Sequence, residues 1–184
     1  MSFHIDFREG FVMLPNGCVL SPHLSQDEFR ASKWFAAATE RDVGTRPFVH
    51  YGFSCGDVDG KELLANLIFY DQMLLSIELE TAEYAPEARD WSNYSLEVEA
   101  ATKDFHEILL RRMLGKPTSC TAITHTKCPP SQVTLYQPCR WRFSWGEVGS
   151  FHDQKGGATF ISIKYGNRVE EANQAYRASK KGTR

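Results

Sequence analysis

WRFSW at residues 141–145 and ATFISIKY at residues 158–165 decide the fold of this 184-residue chain. In both stretches a large or β-branched side chain recurs at every second position, as in a strand with one buried face. The segment 153–157 between them, Asp-Gln-Lys-Gly-Gly, has the glycine pair of a chain reversal. The sequence therefore predicts an antiparallel ribbon whose aromatic side, with Trp141 and Phe143, lies on a core.

Further strands are predicted upstream of this ribbon. Asn16-Gly17 separates two apolar runs, and Asn-Gly is a strong hairpin signal because both residues tolerate positive φ. A second hairpin is predicted across Asp71-Gln72. The predicted strands are 3–7, 11–14, 18–20, 46–55, 62–70, 73–80 and 133–136, with a turn at 56–60. In 73–80, Leu75, Ile77 and Leu79 alternate with Ser76, Glu78 and Glu80, which predicts a wet acidic face.

Two helices are predicted between the strands. Ser25 and Glu28 have the spacing of a capping box, so a short helix begins there and runs to about Ser32. From about 92 to 114 the period changes to 3.6, and Gly115 ends the helix. The pattern places on its buried side Tyr94, Val98, Ala101, Phe105, Ile108 or Leu109, and Arg112 or Met113. The opposite face carries Glu97, Glu99, Lys103, Asp104 and Glu107.

Hairpins with one long helix inserted between them predict the fold class. The expected fold is α+β, an antiparallel sheet packed against one long amphipathic helix in two layers. We expect a single domain over 1–167, followed by a polar, basic tail over 168–184 that forms a short, fraying helix.

Composition restricts the cellular setting. The first residues lack the basic flank and apolar run of a signal peptide, and no apolar run is long enough to span a membrane. We therefore expect a cytoplasmic protein without a membrane partner or cofactor. Five cysteines, an odd number, argue against a secreted disulfide framework and favour reduced thiols.

Two constellations leave an enzyme or metal protein open as an alternative. Cys120, His125, Cys128 and Cys139 could supply the three thiolates and one imidazole of a zinc tetrahedron, although no C-x2-C knuckle is present. A cysteine or histidine hydrolase would need His50 close to Cys55, or the pair His152-Asp153 at its turn. The simpler, purely structural interpretation is that the cysteines are buried thiols and that His152-Asp153 is part of a polar turn.

Basic residues suggest a further class, nucleic-acid binders. Arg111, Arg112, Arg140, Arg142 and Lys164 would have to share one face. A pI near 6.3 and a net charge of −2 argue against this class, and alternation with Trp141 and Phe143 favours a solvated strand face instead.

The uneven charge is the better functional clue. Residues 71–107 carry ten acids and two bases, whereas residues 108–184 carry four acids and thirteen bases. An acidic surface with aromatic anchors suits the capture of a basic protein, because charges steer the encounter and rings hold the complex. The predicted partner-binding residues are Glu78, Glu80, Glu83, Glu87, Asp90, Trp91, Glu97 and Asp104.

Part of the chain resembles a known class. The pattern Trp141-x-Phe143-x-Trp145-Gly146, Asp153-x-Lys155-Gly156-Gly157 and Ile161-x-Ile163-x-Tyr165, after an early Leu14-Pro15-Asn16-Gly17, is similar to that of small bacterial cytosolic proteins of the toxin-immunity kind. The resemblance implies a non-enzymatic inhibitor that binds and neutralises a cognate protein toxin, and it carries over no catalytic residue. A homo-oligomer that packs ribbon on ribbon is a further alternative.

Overall fold

The computed structural model describes residues 3–41, 47–81, 94–120, 135 and 137–181. Within these ranges the chain is an α+β protein with a three-stranded sheet, an eight-stranded sheet and three α-helices. Every pair of neighbouring strands is antiparallel. The predicted fold class is confirmed.

The N-terminal part forms a small layer of short strands and helices, which we call the lid. The strands are β1 (His4–Ile5), β2 (Val12–Met13) and β3 (Val19–Leu20), with Gly17 at φ +86° in the predicted turn. The helix α1 (Gln26–Ala31) begins with the predicted capping box, because the Ser25 hydroxyl accepts from the Glu28 amide and the Glu28 carboxylate accepts from the Ser25 amide. A 3-10 turn, Phe35–Ala37, follows.

The large sheet has the strand order β4-β5-β6-β7-β11-β10-β9-β8. Its strands are β4 (Thr39–Arg41), β5 (Val49–Val58), β6 (Lys61–Tyr70), β7 (Met73–Thr81), β8 (Ser119–Cys120), β9 (Cys139–Phe143), β10 (Gly146–Asp153) and β11 (Ala158–Tyr165). The β6–β7 hairpin turns at Asp71 and Gln72 as predicted, both at positive φ. The turn predicted at 56–60 is present but shorter, because β5 continues to Val58 and only Asp59 and Gly60 form the reversal.

The C-terminal ribbon has one strand more than predicted. The residues between the two aromatic stretches form β10, which pairs with β9 on one side and with β11 on the other. Its inward positions are Val148, Ser150 and His152. Two of these three are polar, so the alternation that marks a half-buried strand is hidden in the sequence.

The large sheet has two chemically different faces. The core face carries Leu67, Ile77, Ile163 and Val148, which belong to one buried cluster with the lid and α1. On the other face, here called the outer face, a row of in-register neighbours runs across four strands through Asn66, Glu78, Ser162 and Gly149. The core therefore lies between the sheet and the layer formed by the lid, α1 and the long helix that follows β7.

The long helix α2 (Leu96–Leu114) packs on the core face, with Ser95 as its N-cap and Gly115 at its C-terminus. The predicted buried side is only partly right: Leu109 is buried and Phe105 packs against the core, but Ala101 is exposed and Ile108 is 65% exposed. The buried positions are Glu99, Thr102, Lys103, His106, Leu109 and Leu110. They are displaced by one residue from the predicted set, which is about 100° around the helix axis.

The helix α3 (Arg168–Lys181) covers part of the outer face. Its Ala172 is buried, and the Tyr176 ring meets Phe48 edge-on at 5.7 Å between ring centroids. The predicted terminal helix is thus present and packs on the sheet, while a domain boundary at residue 167 stays a prediction. None of the described helices is long and apolar enough to cross a membrane.

Candidate partner-binding surfaces

The predicted acidic residues do not all share a surface. Glu83, Glu87, Asp90 and Trp91 lie outside the described residues. Glu78 and Glu80 are on the outer face of the sheet, since they alternate with Ile77 and Leu79 of the core. Glu97 and Asp104 are exposed on α2, which packs on the opposite side of the sheet. The described members therefore form two separate groups.

The acidic side of β7 is not the wet face that the sequence predicts. Ser76 is only 5% exposed, and Glu78 is partly buried. The Asn66 amide nitrogen donates to Glu78 Oε2 at 3.0 Å and approaches His50 Nδ1 at 3.4 Å. Burial raises the pKa of Glu78, and nearby Glu80 raises it further, although the Asn66 hydrogen bond opposes the shift. Glu78 is therefore a poor candidate for a freely exposed contact.

The acidic residues of α2 are accessible. Glu97, Ala101, Asp104 and Ile108 follow one another at i, i+4, i+7 and i+11, so they form one ridge on the outside of the helix. We call these four residues the acidic ridge. Its apolar member, Ile108, is one of the few large hydrophobic side chains exposed among the described residues. The ridge combines negative charge with an apolar anchor.

Beneath this ridge, the N-terminal half of α2 meets the sheet through polar side chains. The His152 side chain is 1% exposed, and its Nδ1 lies 3.0 Å from Thr159 Oγ1. Its Nε2 lies 3.3 Å from the Tyr94 hydroxyl, and Glu99 Oε2 is 3.6 Å from Nδ1. His152 is therefore buried between helix and sheet and does not belong to an exposed polar turn. This residue connects helix and sheet.

Two buried basic side chains, those of Lys103 and His106, lie further along α2. Lys103 is 1% exposed and its ammonium group contacts the Glu107 carboxylate one turn later, which also lies 3.5 Å from Arg111. The neighbouring His106 is fully buried, and no hydrogen bond reaches either ring nitrogen. Burial lowers its pKa to about 3, helped by the positive charges of Lys103 and Lys61. His106 is therefore neutral at physiological pH.

The cysteines do not form the proposed metal site. Cys120 and Cys139 are directly opposed on β8 and β9 and are joined by a disulfide, so the expectation of reduced thiols is wrong for this pair. A disulfide sulfur cannot act as a zinc thiolate, because the ligand is the deprotonated thiol. His125 and Cys128 lie outside the described residues, and the part of the chain that is described contains no cluster suited to a metal ion.

The candidate hydrolase pair is not assembled either. Cys55 is buried in the core, where its thiol donates to the Leu63 carbonyl and burial raises its pKa to about 12. His50 instead contacts Asn66 of the outer face, and burial lowers its pKa. A thiol held protonated in the core and a histidine on the other side of the sheet cannot form a nucleophilic couple.

The basic residues separate into two groups. Arg140, Arg142 and Lys164 come together on the outer face, where they line one cleft. Arg112 instead pairs with Asp59 at 2.6 Å, and Arg111 lies beside the disulfide, 3.6 Å from Cys139 Sγ. The pairing Glu147↔Arg142 across β9 and β10 brings these two side chains together, and the sequence does not reveal it because the polar inward residues of β10 hide its alternation.

Comparison with known proteins gives one informative likeness. No protein-family model and no curated protein sequence matches the chain. A chain in the solved structure of "Rhs1-CT in complex with cognate immunity protein RhsI1" superposes with a TM-score of 0.52, covering 98% of each chain at 11% sequence identity. At that identity the likeness shows a shared fold over the whole length.

Proposed function

We propose that this chain is an immunity protein, which binds a cognate toxin and neutralises it without catalysing a reaction. The observation that carries the proposal is the full-length fold likeness to a chain from a complex of Rhs1-CT with its immunity protein. A fold by itself does not determine function. Here the fold likeness agrees with the independent resemblance of the C-terminal ribbon to immunity-type proteins.

The acidic ridge is the described surface best suited to this role. Its carboxylates at Glu97 and Asp104 are in solvent, and Ile108 offers an apolar contact at the C-terminal end of the ridge, one turn after Asp104. Charge would steer a basic partner surface to the ridge, and apolar contact with Ile108 would hold it there. We propose that Glu83, Glu87, Asp90 and Trp91, which lie outside the described residues, also contact the partner, whereas Glu78 and Glu80 lie on the opposite side of the sheet.

The proposal also keeps the remaining predictions from the sequence. They are a bacterial, cytoplasmic protein that works without a cofactor and is not an enzyme. A self-associated form stays open and is tested by light scattering of the purified chain at two concentrations.

Co-expression tests the function. The product of the adjacent gene, expressed alone in a bacterial host, should stop growth, and the present chain should restore growth and co-purify with that product. The chain expressed alone should be harmless. A chain that is itself toxic, or that neither binds the neighbouring product nor restores growth, contradicts the proposal.

Charge neutralisation tests the surface. Glu97→Gln combined with Asp104→Asn should slow association with the toxin by about three- to tenfold at low salt, because exposed charges act mainly on the encounter rate. Stopped-flow or surface plasmon measurements give the rate. The matched control, Glu9→Gln with Glu171→Gln, removes two exposed charges elsewhere and should leave the rate nearly unchanged. Equal rates for both variants would exclude the ridge.

A further inference from the structure

A cationic cleft on the outer face has no part in the proposed function. It has a volume of about 570 Å³ and lies between the β9–β10–β11 ribbon and the start of α3. Its positive side chains are Arg140, Arg142 and Lys164. The same walls carry Glu147, Glu170, Asn167, Ser144 and Phe143.

An aromatic ring fixes two of the three cations. The Arg140 guanidinium carbon lies 4.9 Å and the Lys164 Nζ 5.6 Å from the centroid of the Phe151 ring. This ring lies so close to the backbone of Gly149 that a Cβ at that position would be 2.6 Å from it. The glycine therefore allows the ring to lie against the sheet, and the ring holds both cations by cation–π attraction.

A single carboxylate orients the third cation. Glu147 Oε1 accepts from Arg140 Nη1 at 2.6 Å, and its Oε2 accepts from Arg142 Nε at 3.1 Å. Glu147 is 19% exposed, whereas the Arg142 side chain is 64% exposed. Among the described residues, the terminal Nη groups of Arg142 and the Lys164 ammonium have no hydrogen-bond partner. The N–H donors of Arg142 and Lys164 are thus held in position and are available to a ligand.

We propose that this cleft binds an acidic segment of a protein partner, with its carboxylates on Arg142 and Lys164. The lining itself carries three cations and two carboxylates, an excess of one positive charge, and Glu78 of the same face also interacts with Lys164. A planar guanidinium with free Nη groups is suited to carboxylates. The inference is independent of the toxin-binding proposal, because the acidic ridge lies on the other side of the sheet.

The lining favours a peptide over a nucleic acid. Binding of single strands relies on a continuous positive groove and on free aromatic faces for the bases. Here Glu147 and Glu170 interrupt the positive charge. The rings are also occupied, since Phe151 carries the two cations and Phe143 stacks on Trp145 with centroids 5.1 Å apart.

Fluorescence anisotropy with a labelled octaglutamate peptide tests the inference on the purified full chain. We expect saturable binding that weakens as salt is raised. Arg142→Glu with Lys164→Glu should weaken binding at least about tenfold, since each reversal replaces an attraction by a repulsion. The pair Arg142→Lys with Lys164→Arg keeps both charges and should lose less affinity than the reversal, but it should still bind less tightly than the parent, because lysine lacks the planar fork of Arg142.

The control reverses two exposed lysines away from the cleft. Lys116→Glu with Lys155→Glu changes the net charge by the same amount and should retain most of the binding. Thermal unfolding confirms that each variant is folded. The inference is overturned if octaglutamate does not bind at low salt or if the control loses as much affinity as the cleft variant. It is also overturned if an eight-nucleotide single strand binds more tightly at the same salt and loses its affinity in the cleft variant.

Discussion

His106 shows how strongly one residue can depend on its surroundings. It is fully buried with both ring nitrogens lacking a hydrogen-bond partner, and its pKa is lowered from 6.5 to about 3. The unfolded chain therefore takes up a proton more readily than the folded one. With respect to this group, the free energy of unfolding is therefore highest above about pH 6.5, and it decreases as the pH falls toward 3.

We predict that His106→Leu makes the protein less sensitive to acid. The difference in protonation of this group costs about 2 kcal/mol at pH 5, and the leucine variant avoids it. Urea unfolding at pH 7.5 and pH 5 measures the effect. Exposed His23→Gln serves as control and should behave like the parent chain at both values. An equal loss of stability in the His106 variant and the parent would contradict the prediction.

Gly149 is the residue on which the cationic cleft depends. Its φ is not unusual, so the requirement comes from space: a Cβ would lie 2.6 Å from the Phe151 ring and 3.0 Å from the Cys139 carbonyl oxygen. We predict that Gly149→Ala destabilises the fold by about 1–3 kcal/mol, as overpacking usually does, and weakens octaglutamate binding. Chemical denaturation and anisotropy measure the two effects, and unchanged binding would show that Phe151 does not organise the cations.

At the scale of elements, α2 shows that the presence of a helix can be predicted when its buried side is predicted only in part. Its end at Gly115, which adopts φ +73°, is the predicted one. Its start is later than the predicted residue 92, because Ser95 Oγ accepts from the Val98 amide and caps the helix there. The side that packs is set by the sheet. Ser150, His152 and Thr159 give the core face a polar end, and Glu99, Lys103 and His106 are buried on the same side of the helix that meets it.

We predict that removing either charge of the buried Lys103–Glu107 pair changes the stability by different amounts. Lys103→Met keeps the length of the side chain and leaves Glu107 with Arg111, so we expect a change within about 1 kcal/mol. Glu107→Gln leaves the buried ammonium without its carboxylate and should cost about 3 kcal/mol. Exposed Asp104→Asn is the control on the same helix. Similar losses for the two buried variants, measured by urea unfolding, would refute this asymmetry.

At the scale of the whole molecule, the Cys120–Cys139 disulfide closes the edge of the large sheet. It joins residues 19 positions apart and directly opposed on β8 and β9. Closing a loop of this size restricts the unfolded chain and stabilises the fold by about 3 kcal/mol in the chain-entropy model. The buried thiols of Cys18 and Cys55 lie in the core and take no part.

We predict that a reductant lowers the stability of the parent chain by about 2–4 kcal/mol. The Cys120→Ser, Cys139→Ser double variant should be as unstable as the reduced parent and should not respond to the reductant. Unfolding midpoints with and without dithiothreitol, together with peptide mapping of the linked cysteines, provide the measurement. A midpoint of the parent that is insensitive to reductant would contradict the role of the bridge.

The sequence by itself determined the elements that depend on local chemistry. The α+β class, the hairpin turns at Asn16-Gly17 and Asp71-Gln72, the α1 capping box and the aromatic strand β11 all follow from φ preferences, capping groups and period-two alternation. These features involve residues that are neighbours along the chain, so their physics can be read from the sequence.

Only the tertiary structure decided what depends on contacts between distant residues. Pairing with two neighbouring strands defines β10, and packing on the sheet moves the buried positions of α2 by one residue. The tertiary structure also joins Cys120 to Cys139 and places Glu78 and Asp104 on opposite sides of the sheet. It also brought Arg140, Arg142 and Lys164 into one cleft. The physical reason is that burial of a polar side chain is fixed by the surface it meets, which a hydrophobic period along one element cannot specify.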